Sequence, residues 1–295
     1  MTDERTVADA TPTVEALVAE LTASLAAAGV TQPRDEARDL VAALLDVPRF
    51  WPTMHRAAPV DAELRASARR AAARRASGAP FAYAAGRAAF RHLTLDVDER
   101  VLIPRQETEV LVDEVLAAVG TSLGGVAVDV GTGSGAIALA LASEGPFDRV
   151  IATDVSLDAL AVARHNAELC ARALKAPVEL RAGSLLAPVR DVRARCVVSN
   201  PPYIAFDEAA ALPASVRDWE PALALLSGMD GMAAIAGIVR QAADVLVPNG
   251  LLALEVDARR ASLAAECVAT DARYRDVRVR LDLAGRERFV LAARR

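Results

Sequence analysis

The chain has 295 residues, which exceeds one average domain and is enough to bury a sizeable core, so a small domain beside a larger one is expected. A net charge of −5 and a pI near 5.4 disfavour broad electrostatic binding to nucleic acid, and although 53% of residues are hydrophobic, alanine inflates that share and no run approaches the ~18 uninterrupted apolar residues of a membrane span. Cys170, Cys196 and Cys267 are odd in number and contain no C-x-x-C, and His55, His92 and His165 show no ligand spacing, which argues against a disulfide framework and against a metal site.

Residues 1 to 12 are polar and expected to fray, and Met1-Thr2-Asp3-Glu4-Arg5 lacks the basic then apolar layout of an export signal. Apolar residues recur at helical spacing from Val14 to Ala28 and from Asp35 to Leu45, with Gly29 and Pro33 as stop and restart signals. Phe50-Trp51-Pro52 interrupts, and Asp61 to Ala76 reads as a further helix carrying Arg65, Arg69, Arg70, Arg74 and Arg75. Those arginines form either a solvated face or a face for an acidic or RNA-bearing partner. Residues 1–78 are therefore expected to be a small helical domain, and 79–104 a connector in which Phe90 to Val97 and Arg100 to Ile103 form a hairpin across Asp98-Glu99.

A helix from Glu107 to Val119 opens residues 105–295, where strands and helices alternate in the pattern of a mainly parallel sheet. The predicted strands are Val126–Val130, Arg149–Thr153, Val178–Arg181, Cys196–Ser199 and Leu251–Val256. The predicted helices between them are Ala136–Ser143, Leu157–Ala173 and Met232–Leu246, and a last pair of strands, Asp276–Leu283 and Arg286–Ala292, turns at Ala284-Gly285.

Two stretches carry chemistry. Val126 to Val130 leads into Gly131-Thr132-Gly133-Ser134-Gly135 and a helix, the form of a nucleotide-binding strand–loop–helix turn in which backbone approaches ligand because side chains are absent. Gly131, Gly133 and Ala136 also satisfy G-x-G-x-x-G/A, which keeps a nicotinamide enzyme open. Asp154, ending the next strand, is placed either to accept the hydroxyls of a ribose or to cap the following helix. Downstream, the buried run Cys196-Val197-Val198-Ser199 ends abruptly in Asn200-Pro201-Pro202-Tyr203. The two prolines fix their own φ and donate nothing, which makes a rigid bracket of an Asn carboxamide, a free proline carbonyl and a Tyr wall suited to a planar amide or amino group.

Val128-Asp129-Val130-Gly131-Thr132-Gly133-Ser134-Gly135, Asn200-Pro201-Pro202-Tyr203 and Ile103-Pro104-Arg105-Gln106-Glu107-Thr108-Glu109 together resemble the PrmC/HemK family from about Asp35 onward. That resemblance implies an α/β class I S-adenosylmethionine-dependent methyltransferase sheet, its last strand inserted antiparallel, beside a helical substrate-recognition domain. It also implies methylation of the glutamine side-chain nitrogen (N5) in the Gly-Gly-Gln loop of class 1 peptide chain release factors, with S-adenosyl-L-methionine as cofactor. On this footing Gly131, Thr132, Gly133, Ser134, Gly135, Asp154, Leu185 and Asn200 bind cofactor, and Asn200, Pro201, Pro202 and Tyr203 are catalytic. The segment from Ile103 lines the mouth of the site, with Glu107 and Glu109 either functional or bland helix-start acids. The third strand departs from the family pattern, since Gly183-Ser184-Leu185 has neither the acidic nor the aromatic residue usual near the adenine, leaving backbone and Leu185 to pack it. Gln106 and Asn249 are further departures. A metal-free, cytoplasmic monomer with no direct nucleic-acid contact and no membrane contact is expected.

An amide nitrogen is a poor nucleophile because its lone pair is delocalised into the carbonyl. Asn200 and the Pro201 carbonyl are expected to accept its two N–H hydrogens, help twist the amide and aim the nitrogen at the sulfonium methyl. Four rivals stay open: a nucleic-acid adenine-amino methyltransferase, a ribosomal-protein glutamine methyltransferase, a non-catalytic binding module and a nicotinamide dehydrogenase.

Overall fold

Thr13 starts the first helix by accepting the Ala16 N–H at 3.3 Å, and α1 (Val14–Ala27) follows. The computed structural model describes residues 12–295, so the stretch expected to fray lies almost wholly outside the described residues. Two compact units divide the chain at Arg87/Ala88, inside the stretch read as a connector.

The first unit holds α2 (Pro33–Leu45), α3 (Trp51–Met54), α4 (Ala62–Ala76) and α5 (Phe81–Ala85). Leu17, Leu21, Leu25, Leu40, Val41 and Ala68 build its core, each fully or almost fully buried. The arginines of α4 do not form a simple solvated face. Arg65 pairs with Glu20 at 3.0 Å, Arg69 pairs with the same carboxylate, and Arg75 reaches Glu36 at 2.5 Å, so the charges tie α4 to α1 and α2.

The second unit begins with a two-stranded ribbon, β1 (Arg87–Phe90) and β2 (Leu93–Asp96). The hairpin therefore turns at Arg91-His92 and not across Asp98-Glu99, which corrects the sequence expectation. Arg91 takes a left-handed φ of +54° without being glycine, held by its N–H to the Glu109 carboxylate at 3.0 Å and by two 2.7 Å bonds from its guanidinium to Glu144. Asp98 does turn the chain, since its carbonyl accepts the Val101 N–H at 3.1 Å, but 100–103 runs on as a turn and loop instead of a strand.

The remaining elements are α6 (Gln106–Val119), β3 (Val126–Val130), α7 (Ala136–Glu144), β4 (Arg149–Asp154), α8 (Leu157–Leu169), β5 (Val178–Ala182), β6 (Ala194–Ser199), α9 (Ala214–Arg217), α10 (Ala222–Leu225), α11 (Ala233–Val245), β7 (Leu246–Glu255), α12 (Ala261–Thr270), β8 (Tyr274–Leu281) and β9 (Glu287–Arg294). α8 stops four residues before the predicted end, at Cys170, and a separate turn of 3-10 helix covers Ala171–Ala173. α9, α10 and α12 occupy stretches where the apolar pattern predicts no element.

Seven strands form one sheet in the order β5-β4-β3-β6-β7-β9-β8. β3, β4, β5, β6 and β7 are parallel, with Val128 opposite Ile151 on one side and Val197 on the other. β9 runs antiparallel between β7 and β8, placing Ala253 opposite Leu291. Both faces are buried: Val128, Ile151, Val197 and Leu252 face α11 and α12, while Ala127, Val150, Val198 and Ala253 face α6 and α7. The chain leaves β3 toward β4 and β5, then returns to start β6 on the other side. The carboxyl ends of β3 and β6 thus flank a topological switch point, where open α/β sheets place their ligands. Among the described residues no helix is long and apolar enough to cross a membrane.

Candidate active site

The loop after β3 is built by its glycines and by one buried acid. Gly131 and Gly133 adopt φ of +73° and +55°, and a Cβ on either would meet nothing within 4 Å, so open space lies above both. Beneath them Asp129 is fully buried; its Oδ2 accepts the Thr132 hydroxyl at 2.6 Å and the Ala138 N–H at 3.1 Å, while Oδ1 has no partner among the described residues. Burial pushes this acid up to about 7.

Asp154, at the end of β4, accepts the Gly133 N–H on Oδ2 and the Ser156 N–H on Oδ1, both at 2.9 Å. The cap of α8 is Ser156, whose hydroxyl accepts the Ala159 N–H at 3.1 Å, so Asp154 is not the cap of that helix. Together with Leu185 and Ser199 to Pro202, Gly131, Gly133 and Asp154 line a cavity of about 310 Å³. Thr132, Ser134 and Gly135 lie off its wall: the Thr132 hydroxyl is held by Asp129, the Ser134 carbonyl accepts Asn166 Nδ2 at 2.9 Å, and Gly135 packs on Leu139 and Ala163. Leu185 sits at a φ of +51°, its carbonyl accepting the Thr153 hydroxyl at 3.0 Å and its side chain filling the notch left by Gly237 on α11.

Asn200 and Pro201, just past β6, line this cavity and also a second one of about 440 Å³. Leu102 and Ala224 also line both, Pro202 belongs to the first alone, and Tyr203 to the second, together with Arg105, Glu208 and Arg259. Burial pushes the Tyr203 phenol up to about 12, which leaves it neutral. Arg105 donates to Glu220 at 2.6 Å, a carboxylate whose side chain is 1% exposed. The floor beneath the bracket is a chain of three side chains: Asn200 Nδ2 donates to the Thr108 hydroxyl at 3.1 Å, and Thr108 donates to Glu255 Oε2 at 2.7 Å. Glu255 ends β7, is buried, and is raised to about 7 by that burial, against the pull of the Thr108 bond and the Arg288 charge.

A pair of cavities meeting at one Asn-Pro wall suits transfer of a small group between two bound molecules. Comparison with known proteins agrees: residues 105–214 match the family model described as "Methyltransferase small domain", and residues 16–86 match "PrmC N-terminal domain". The release factor glutamine methyltransferase of Moorella thermoacetica is 41% identical over 96% of this chain and 99% of its own length, and that of Mycolicibacterium smegmatis is 42% identical over 92% and 95%. The chain belongs to the release factor glutamine methyltransferase family. It is therefore a methyltransferase, and the α/β fold is that of class I methyltransferases. Among solved structures, a methyltransferase from Pyrococcus furiosus (TM-score 0.50, 19% identity, 68% of this chain and 88% of that one) and the catalytic domain of hMettl16 (TM-score 0.55, 15% identity, 79% and 82%) share the fold.

Two site residues of this methyltransferase escape a sequence reading centred on acids and glycines. Thr108 stands between Glu107 and Glu109, the acids that draw attention, yet Glu109 is held by the Arg91 N–H and Glu107 lies 3.7 Å from Arg286. Glu255 closes the apolar run Leu251-Leu252-Ala253-Leu254, and its signal is a lone charge ending a buried strand.

Proposed function

We propose that this methyltransferase moves a methyl group from S-adenosylmethionine to the side-chain nitrogen, N5, of the glutamine in the Gly-Gly-Gln motif of class 1 peptide chain release factors. The observation that carries the reading is the wall of Asn200 and Pro201 shared by two cavities, one floored by the glycine loop and Asp154, the other opening past Arg105 and Tyr203. The names of relatives that align along nearly the whole chain support the acceptor.

The residues of the first cavity fit the donor. Gly131 and Gly133 leave the room that a close-lying ligand would fill, and Asp154 brings a carboxylate to the same wall, where it would receive ribose hydroxyls. Leu185 supplies an apolar surface for a base, and the family's absent acidic residue has no replacement in Ser184. When bound, S-adenosylmethionine supplies a methyl group activated by its positive sulfur.

The chain's own part is to prepare the acceptor. A primary amide presents two N–H donors in one plane, and the matching surface is two acceptors: the Asn200 carboxamide oxygen and the Pro201 carbonyl, which no helix or strand claims. Acceptors that hold both hydrogens to one side of the carbonyl plane would help turn the nitrogen lone pair out of conjugation and toward the cavity behind, and one of the two held protons leaves to solvent as the nitrogen is methylated; the alignment is of the kind that raises effective molarity to about 10⁵–10⁸ M in well-oriented reactions. Tyr203, neutral and partly buried, forms the wall of the acceptor side. The helical first unit is assigned substrate recognition on the same reading.

The test is methyl transfer from labelled S-adenosylmethionine to purified release factor, to the same factor with the Gly-Gly-Gln glutamine changed to alanine, and to DNA and ribosomal protein. Label on the unmodified release factor alone supports the proposal; label on DNA or ribosomal protein with none on the release factor overturns the acceptor.

A further inference from the structure

We infer that Thr108 and Glu255 are positioning residues that fix which way round the Asn200 carboxamide stands, an assignment that rests on the proposed amide acceptor. An Asn side chain has two ends of nearly the same shape, and nothing in a bracket of prolines distinguishes them. The distinction comes from proton counting. An ionised carboxylate accepts only, and a hydroxyl has one hydrogen. With Glu255 ionised, Thr108 gives its single proton to it across 2.7 Å, and what it turns toward Asn200, 3.1 Å away, is lone pairs. Only the NH2 end of the amide satisfies them. The carboxamide oxygen then faces away from Thr108, and among the described residues nothing donates to it, so it remains a free acceptor on the wall between the two cavities.

The consequence is specific to the acceptor chemistry. A target NH2 offers hydrogens only, so a flipped Asn200 would set donor against donor, while the orientation dictated by Thr108 sets acceptor against donor. Glu255 thus acts three hydrogen bonds away from the substrate, through a residue that α6 supplies and from a strand, β7, next to the one that carries Asn200. Charges around Glu255 pull both ways, since Arg288 on β9 and Arg105 favour its ionised form and Glu107 opposes it, while Tyr203 lies nearby as a neutral ring. Burial leaves the carboxylate no water to turn to, so the Thr108 hydroxyl is its fixed partner.

Three variants of the full chain, assayed on intact release factor with labelled S-adenosylmethionine, test the relay: Thr108→Val, which keeps shape and removes the hydroxyl; Thr108→Ser, which keeps the hydroxyl; and Glu255→Gln, which removes the charge and allows Thr108 to face either way. Each is read for kcat, KM for the release factor, equilibrium affinity for S-adenosylmethionine, and melting temperature. The expected result is a kcat lower by about tenfold in T108V with donor affinity within about twofold of wild type, recovery of most of that loss in T108S, and a kcat down by at least about half in E255Q, where two amide orientations become available. Wild-type kcat in both T108V and E255Q overturns the relay, as does a T108V defect in donor affinity that matches its defect in turnover, since that is what a merely structural residue would give. Should T108V not fold, E255Q alone decides, because it removes a buried charge and keeps the volume. A wild-type enzyme inert on release factor would instead sink the acceptor assignment on which the relay stands, so the two failures are told apart by the wild-type lane.

Discussion

Asp154 and Gly133 are joined by a 2.9 Å bond from the glycine N–H to one carboxylate oxygen, while the other oxygen accepts from Ser156. The carboxylate thereby holds the glycine loop and lines the cavity at once. Asp154→Ala should weaken S-adenosylmethionine binding by about 1.5–3 kcal/mol, the worth of hydrogen bonds to a charged group, or roughly ten- to a hundredfold. The melting temperature should fall as well, because the Gly133 and Ser156 N–H groups lose their shared acceptor, although the Ser156 cap of α8 is kept. Calorimetric titration beside a thermal scan checks both.

Asn200→Ala removes the acceptor and leaves the cavity floor of Gly131, Gly133 and Asp154 in place. Substantial donor affinity should be retained while turnover falls by about 10²-fold or more, since the decisive lost contact is made to the group whose geometry changes during reaction. Normal turnover in this variant would end the role assigned to the bracket.

Gly131→Ala and Gly133→Ala each place a methyl group where the protein has nothing within 4 Å. No clash arises within the chain, and the left-handed φ costs roughly 1–2 kcal/mol of stability. The larger effect should fall on S-adenosylmethionine affinity, because the added methyl projects into space a ligand would use. Gly86→Ala, in the left-handed region at φ +74°, with nothing within 4 Å of an added Cβ among the described residues and outside both cavities, is the control that carries the strain without the affinity loss.

Turnover should rise with pH through about 7. Glu255 is raised to about 7 from an ordinary 4.5, first by burial, and only its charged form has no proton of its own to give, so that Thr108 must be the donor. The groups facing it are Thr108 and Glu107 on α6, Arg105 before that helix, Arg288 on β9 and Tyr203 beyond the bracket, and of these the phenol stays neutral in this range. Stability runs the other way. The folded state keeps a proton on Glu255, and on Asp129, that the unfolded chain has released, so raising the pH from about 4.5 to 7 favours unfolding. The share of stability carried by these two acids should therefore decline across that window as activity climbs, so the melting temperature of E255Q should fall less than that of wild type between about pH 5.5 and 7 and its activity step should flatten.

The parts of this architecture legible in the sequence are those with local causes. Strands buried on both faces write themselves as apolar runs, so Val126–Val130 and the run to Ser199 stand out, and three glycines in five residues mark the loop. The ribbon's turn escapes such a reading because it sits at Arg91, whose positive φ is enforced by Glu109 and Glu144 far along the chain. The same holds for Thr108: its hydrogen bonds reach 92 residues to Asn200 and 147 to Glu255, distances at which no local pattern operates. Asp154, Gly131 and Gly133 come together as the strand–loop–helix form predicts, whereas Thr132, Ser134 and Gly135 build the loop without reaching the cavity.

The strand order carries a last implication, for the making of the protein. β7, which bears Glu255, pairs on its outer side with β9 and not with β8, and Glu255 itself stands opposite Phe289. A ribosome that has just finished β7 has produced every glycine of the loop, the Asn-Pro bracket and both members of the relay, yet the edge beside Glu255 stays open until β8 has been made and passed over. A product cut short before Phe289 would therefore carry the glycine loop, the Asn-Pro bracket and the Thr108–Glu255 pair while the outer edge of β7 at Glu255 stayed unpaired.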